Sequence, residues 1–136
     1  MGNNMDSLKF NSLIPELSVT DIAATRHFYV DILGFEIYYE RKENNFIFVK
    51  YENNQLMLDQ LNGHWSTGAM EYPFGRGINF EMTVSDVETL YQRILKHGIK
   101  PFAELHTEIY KCGTENVIQK QFLVQDPDGY LLRFVD

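Results

Sequence analysis

The residue with the sharpest chemical demand is Arg133. It stands inside an apolar run, Leu131-Leu132-Arg133-Phe134-Val135, that follows the turn signature Asp126-Pro127-Asp128-Gly129. Pro presets φ, Asp bonds its own backbone and Gly supplies a positive φ, so this reads as a tight turn feeding a strand. A guanidinium in such a strand requires a polar cavity or a carboxylate partner. Other reactive types are scattered. His27, His64, His97 and His106 show no ligand spacing, and His97 suits the last turn of a helix. Cys112 beside Lys111 is the only cysteine, which excludes an internal disulfide and a cysteine-built zinc site. There is no Gly-x-Ser-x-Gly, Walker-type or dinucleotide fingerprint, and Gly75-Arg76-Gly77 reads as a turn before a strand.

The elements that must position Arg133 fall into a single small domain. A chain of 136 residues with 44% hydrophobic content is ordinary for a globular protein. Twelve basic against nineteen acidic residues give a net charge of −7, which disfavours nucleic acid and anionic membranes as partners. Met1 to Ser12 is polar and lacks the apolar centre of a signal peptide, and Asp6 breaks a myristoylation pattern. No apolar stretch approaches the roughly 20 residues that span a bilayer. The expected location is the cytoplasm.

Along the chain, Ile14 to Val19 alternates as a half-buried strand does. Asp21 caps a helix to about Leu33 that Gly34 closes. Strands follow at Phe35 to Arg41, Phe46 to Tyr51 and Gln55 to Asp59, separated by Asn-Asn turns. The pattern then recurs. Gly77 to Val84 is a strand, Asp86 caps a second helix ended by Gly98, and Pro101 to His106, Gln119 to Val124 and Leu131 to Val135 are strands. Val19-Thr20-Asp21-Ile22 matches Val84-Ser85-Asp86-Val87, and Leu56-Met57-Leu58 matches Leu132-Arg133-Phe134. A unit built twice accounts for this. The expected organisation is α+β: two paired βαβββ modules, about 13–61 and 76–136, joined by a linker over 62–75. Leu61 to Gly75 and Thr107 to Asn116 read as irregular loops that gate a ligand.

The matching residues are Pro15-x-Leu17-x-x-x-Asp21, Phe28-Tyr29-x-x-x-Leu33-Gly34-Phe35, Leu90-Tyr91 with Gly98-Ile99, and Asp126-Pro127-Asp128-Gly129 with its strand. In this order, over most of the chain, they resemble the vicinal-oxygen-chelate superfamily of glyoxalase I, extradiol dioxygenases and bleomycin resistance proteins, the last group above all. The resemblance implies that the paired modules curl into a cleft. In the metal-dependent members four ligands enter that cleft. Counting from Val19 and Val84, their positions here are Ile14, Met57, Asn79 and Arg133. A divalent ion at about 2.0–2.2 Å wants imidazole or carboxylate donors, so this set implies no metal and no cofactor.

What then remains is a binding cleft. Strand alternation puts Glu16, Asp59 and Glu81 on the same faces as the ligand positions. With Arg133 they form an acidic pocket for a cationic ligand, or pair among themselves. A displaced metal site made from the three carboxylates is a third possibility. The resemblance further implies that Phe46 stacks on the aromatic part of a drug, and that Glu81 and Ile118 replace two aromatic positions of drug binders. Trp65 and Tyr110 offer aromatic walls from the two loops. The expected function is bleomycin-resistance-type sequestration of a cationic, partly aromatic small molecule by a homodimer, with Pro15 marking a strand that exchanges between subunits. Two alternatives stand beside it: a metal-dependent lyase, transferase or dioxygenase with displaced ligands, and a non-catalytic domain that binds a metabolite or protein.

Overall fold

A computed structural model describes residues 8–136. The reading of the extreme N-terminus rests largely on residues 1–7, which lie outside the described residues. Strand β1 (Glu16–Val19) leads to α1 (Ile22–Arg26), which runs on as a π-helical stretch, His27–Ile32. Asp21 caps α1 by accepting from the Ala23 and Ala24 amides. Strands β2 (Glu36–Arg41), β3 (Phe46–Tyr51) and β4 (Asn54–Gln60) complete the first unit. The second comprises β5 (Asn79–Thr83), α2 (Val87–Lys96), β6 (Ala103–Cys112), β7 (Glu115–Gln125) and β8 (Leu131–Val135). The result is α+β, with two four-stranded mixed sheets ordered β1-β4-β3-β2 and β5-β8-β7-β6.

Each sheet buries one face against the helices. Leu17, Val19, Ile47, Val49, Leu56 and Leu58 do so in the first sheet, and Met82, Phe122, Val124, Leu132 and Phe134 in the second. With Phe28, Tyr29, Ile32 and Leu33 from the first helix and Val87, Leu90 and Ile94 from α2, they make one continuous core across both modules. Period-two alternation leaves the other face of each sheet to carry polar and aromatic groups. That open face carries Glu16, Phe46, Met57, Asp59, Asn79, Glu81 and Arg133.

Hydrogen bonds across the seam repeat with the symmetry of the sequence. The Thr20 hydroxyl donates to Asp128 at 2.7 Å, and the Ser85 hydroxyl donates to Glu52 at 2.7 Å. Just beyond, the Tyr130 hydroxyl donates to the Ser18 carbonyl and the Asn54 amide to the Thr83 carbonyl. In the first pair a residue just past one module's first strand reaches the turn before the other module's last strand. In the second a carbonyl within that first strand accepts from the start of the other module's last strand.

The stretch Thr107 to Asn116 is not an irregular loop. It is the outer half of a β6–β7 hairpin, paired from His106↔Gln121 to Cys112↔Glu115 and turned at Gly113, where φ is +66°. Charged residues broke the apolar alternation there because both faces of the hairpin tip meet solvent. Leu61 to Gly75 does lack regular structure, although it buries Phe74 edge-on against Tyr130.

Candidate functional site

On the open face of the first sheet, register brings Glu16 beside Met57 and Ser18 beside Asp59, while Asp59 pairs with Phe46 and Met57 with Phe48. The Arg41 guanidinium lies 4.0 Å over the Phe46 ring. The Glu16 carboxyl is held above its ordinary value, first by desolvation and then by the Asp59 charge, with Arg41 opposing. Asp59 is buried, and one oxygen takes a long 3.4 Å contact from the Asn62 amide. Two carboxylates and a cation stacked on an aromatic ring therefore share this face.

The second sheet carries a different cluster. The Arg133 Nε donates to the Asn79 side chain at 3.1 Å, and its NH2 donates to Glu81 at 2.9 Å. The Gln119 amide also points to Glu81, at 3.4 Å. The long hairpin extends the network. The Tyr110 hydroxyl donates to Gln121 at 3.2 Å, and the Gln121 amide meets His106 Nε2 at 3.3 Å. His106 Nδ1 lies 2.6 Å from the Glu104 carbonyl, which can only accept from it. Glu108 stands 3.6 Å from the same Nε2. Gln119, Gln121 and Glu108 were not read as site residues in the sequence, and His106 was read only as a histidine without ligand spacing. Their alternation along β6 and β7 was the available signal.

Glu16, Asp59, Met57 and Phe46 thus share one face, and Asn79, Glu81 and Arg133 share the other. The three carboxylates do not pair with one another around Arg133: the hydrogen bonds of Arg133 and Glu81 stay within the second module. A seam groove of about 270 Å³ lies between the modules, and its lining includes Asn11, Leu13, Gln55, Asn79 and Glu81 but not Glu16, Phe46, Met57 or Asp59. Ile118 is not in the site. It falls on the side of β7 that bears Phe122 and Val124, beyond the reach of the helix, opposite Ile109. Trp65 is exposed in the linker, edge-on to His64. A larger depression of about 590 Å³ lies along α2, but Lys120 there is already tied to Glu88 and Asp86 to Thr89.

The four positions that hold a divalent ion in metal-dependent relatives do not fit one here. Ile14 offers no donor and Met57 only a soft thioether. The Asn79 oxygen already accepts from Arg133, and Arg133 brings a positive charge. Among the described residues no group of three or more His, Cys, Asp or Glu could hold a metal. No helix among them is long and apolar enough to cross a membrane.

The family described as the Glyoxalase/Bleomycin resistance protein/Dioxygenase superfamily matches residues 9–134. The chain belongs to that superfamily. A superfamily member from Vibrio splendidus 12B01 is 37% identical over 88% of this chain and 92% of its own, with a TM-score of 0.41. TioX from Micromonospora sp. ML1 is 18% identical, with 93% of this chain and 98% of that one covered and a TM-score of 0.70. A glyoxalase/bleomycin resistance protein/dioxygenase from Alicyclobacillus acidocaldarius is 22% identical over 92% and 89%, with a TM-score of 0.65. These last two share the fold. Among curated proteins there is no significant match.

Proposed function

We propose that this chain is a binding protein of the bleomycin-resistance type, which sequesters a cationic, partly aromatic small molecule without metal chemistry. The observation that carries the reading is the first open face, where Asp59 lies beside Phe46, the Arg41 guanidinium covers that ring, and Glu16 on the next strand feels both charges. Two neighbouring carboxylates favour a cation, and a flat cation on that ring would take the place Arg41 now holds. Phe46, Met57 and Asp59 supply the floor on this side, with Asn79, Glu81, Arg133 and Tyr110 as the polar wall from the second module. We further propose a homodimer, in which one chain's Glu16–Asp59 face meets another's Arg133 face. Affinity comes from stacking and carboxylate contacts, and resistance from removing ligand from solution.

Calorimetric titration with bleomycin tests the reading. Saturable heat that Asp59→Asn weakens is expected, and a flat trace at high micromolar drug would count against sequestration of that drug. Sedimentation at micromolar concentration tests the dimer, and a single monomeric species would remove it.

A further inference from the structure

Residues 8–13 do not simply lead into β1. They cross the open face of the first sheet as a strap, passing from β2 to β4. The Lys9 amide donates to the Tyr38 hydroxyl at 2.6 Å. The Gln55 carboxamide then grips both sides of the next residue: its Nε2 donates to the Lys9 carbonyl at 2.7 Å, and its Oε1 accepts from the Asn11 amide at 2.8 Å. Between these contacts the Phe10 ring stands edge-on to Phe48 at 5.5 Å, Tyr38 at 6.0 Å and Tyr39 at 6.2 Å. The floor is deep and the occupant shallow. Phe48 is 1% and Gln55 6% exposed, whereas Phe10 is 48% exposed.

A buried carboxamide and three aromatic rings together hold the single side chain of Phe10 and its two flanking peptide groups. Lifting the strap would free both ends of the Gln55 amide, which water or another amide would then have to satisfy. The strap also walls the seam groove through Asn11 and Leu13, so its departure would open that groove beside Asn79 and Glu81.

We propose that this slot is a ligand site in its own right, for an aromatic ring flanked by an amide carbonyl on one side and an amide N–H on the other. N-acyl aromatic amides and aromatic residues within peptides have that chemistry. Residues 9–11 occupy the slot as an intramolecular stand-in, which an external ligand must displace against the high effective concentration of a tethered competitor. The inference does not use the cation reading above.

N-acetyl-L-phenylalaninamide, titrated into the full chain and into Phe10→Ala and followed by amide NMR, tests it. The variant should bind about tenfold or more tightly than the parent, with the largest shifts at the Gln55 side-chain amide, Phe48 and Tyr38. Adding Gln55→Leu should abolish that gain, and N-acetyl-L-leucinamide should bind more weakly. Should Phe10→Ala fold poorly, Asn11→Pro, which removes one strap donor, should shift affinity in the same direction. Equal affinity of parent and variants, or shifts that spare Gln55 and Phe48, would overturn the proposal.

Discussion

The Asp126 carboxylate shows how one residue can couple the turn to the core. It accepts from the Tyr29 hydroxyl at 2.8 Å and from the Asp128 and Tyr130 amides at 2.9 and 3.0 Å. Burial outweighs these donors and pushes the carboxyl up to about 6 from an ordinary 3.8. The folded chain therefore holds more protons than the unfolded chain between those values. The contribution of Asp126 is complete below the lower value and is lost as pH rises through the upper one. Asp126→Asn should flatten this part of the stability–pH profile, and denaturation of both proteins across that window checks it; parallel profiles would refute the assignment. The pair Arg133–Glu81 is a smaller matter. With side chains 22% and 40% exposed, breaking it by Glu81→Gln should cost only about 1 kcal/mol or less in chemical denaturation. That Arg133 needed a partner was legible in its apolar setting. That Glu81 stands beside it follows from β5–β8 register, a contact 52 positions apart that local pattern does not encode.

At the scale of elements, the first helix ends at Gly34 because φ there is +89° and the Arg93 guanidinium fills the space a Cβ would take. That guanidinium donates to the Leu33 carbonyl at 2.9 Å, tying the helix end to α2. Gly34→Ala should destabilise the fold by about 1–3 kcal/mol, measured by urea unfolding, and a neutral result would deny the constraint. The glycine stop was plain in the sequence, as were the Asp21 and Asp86 caps, since these signals act within a few residues. The strap was not. Its meaning depends on Phe10 meeting Phe48 and on Asn11 meeting Gln55, and nothing in a short polar segment announces such partners. The hairpin tip was missed for the opposite reason. Its strands extend past the core, so no buried face imposed alternation on residues 107–116.

The whole molecule is two copies of one plan around a shared core, and the seam bonds of Thr20 and Ser85 are its symmetry made visible. Leu56 and Leu132 occupy matching, buried positions in strands β4 and β8. Truncating either to Ala should cost about 2–5 kcal/mol, with similar losses for both if the modules share one cooperative core. A loss confined to one module's signals would mean that the halves unfold separately. The central proposal is that Met57, Asn79 and Arg133 contact an organic ligand, and that the four positions Ile14, Met57, Asn79 and Arg133 hold no divalent ion. Elemental analysis of protein purified without chelator and dialysed against zinc, nickel and manganese tests it most directly. The account predicts retention well below one equivalent per chain; a full equivalent that is lost on Asn79→Ala or Met57→Ala would contradict it.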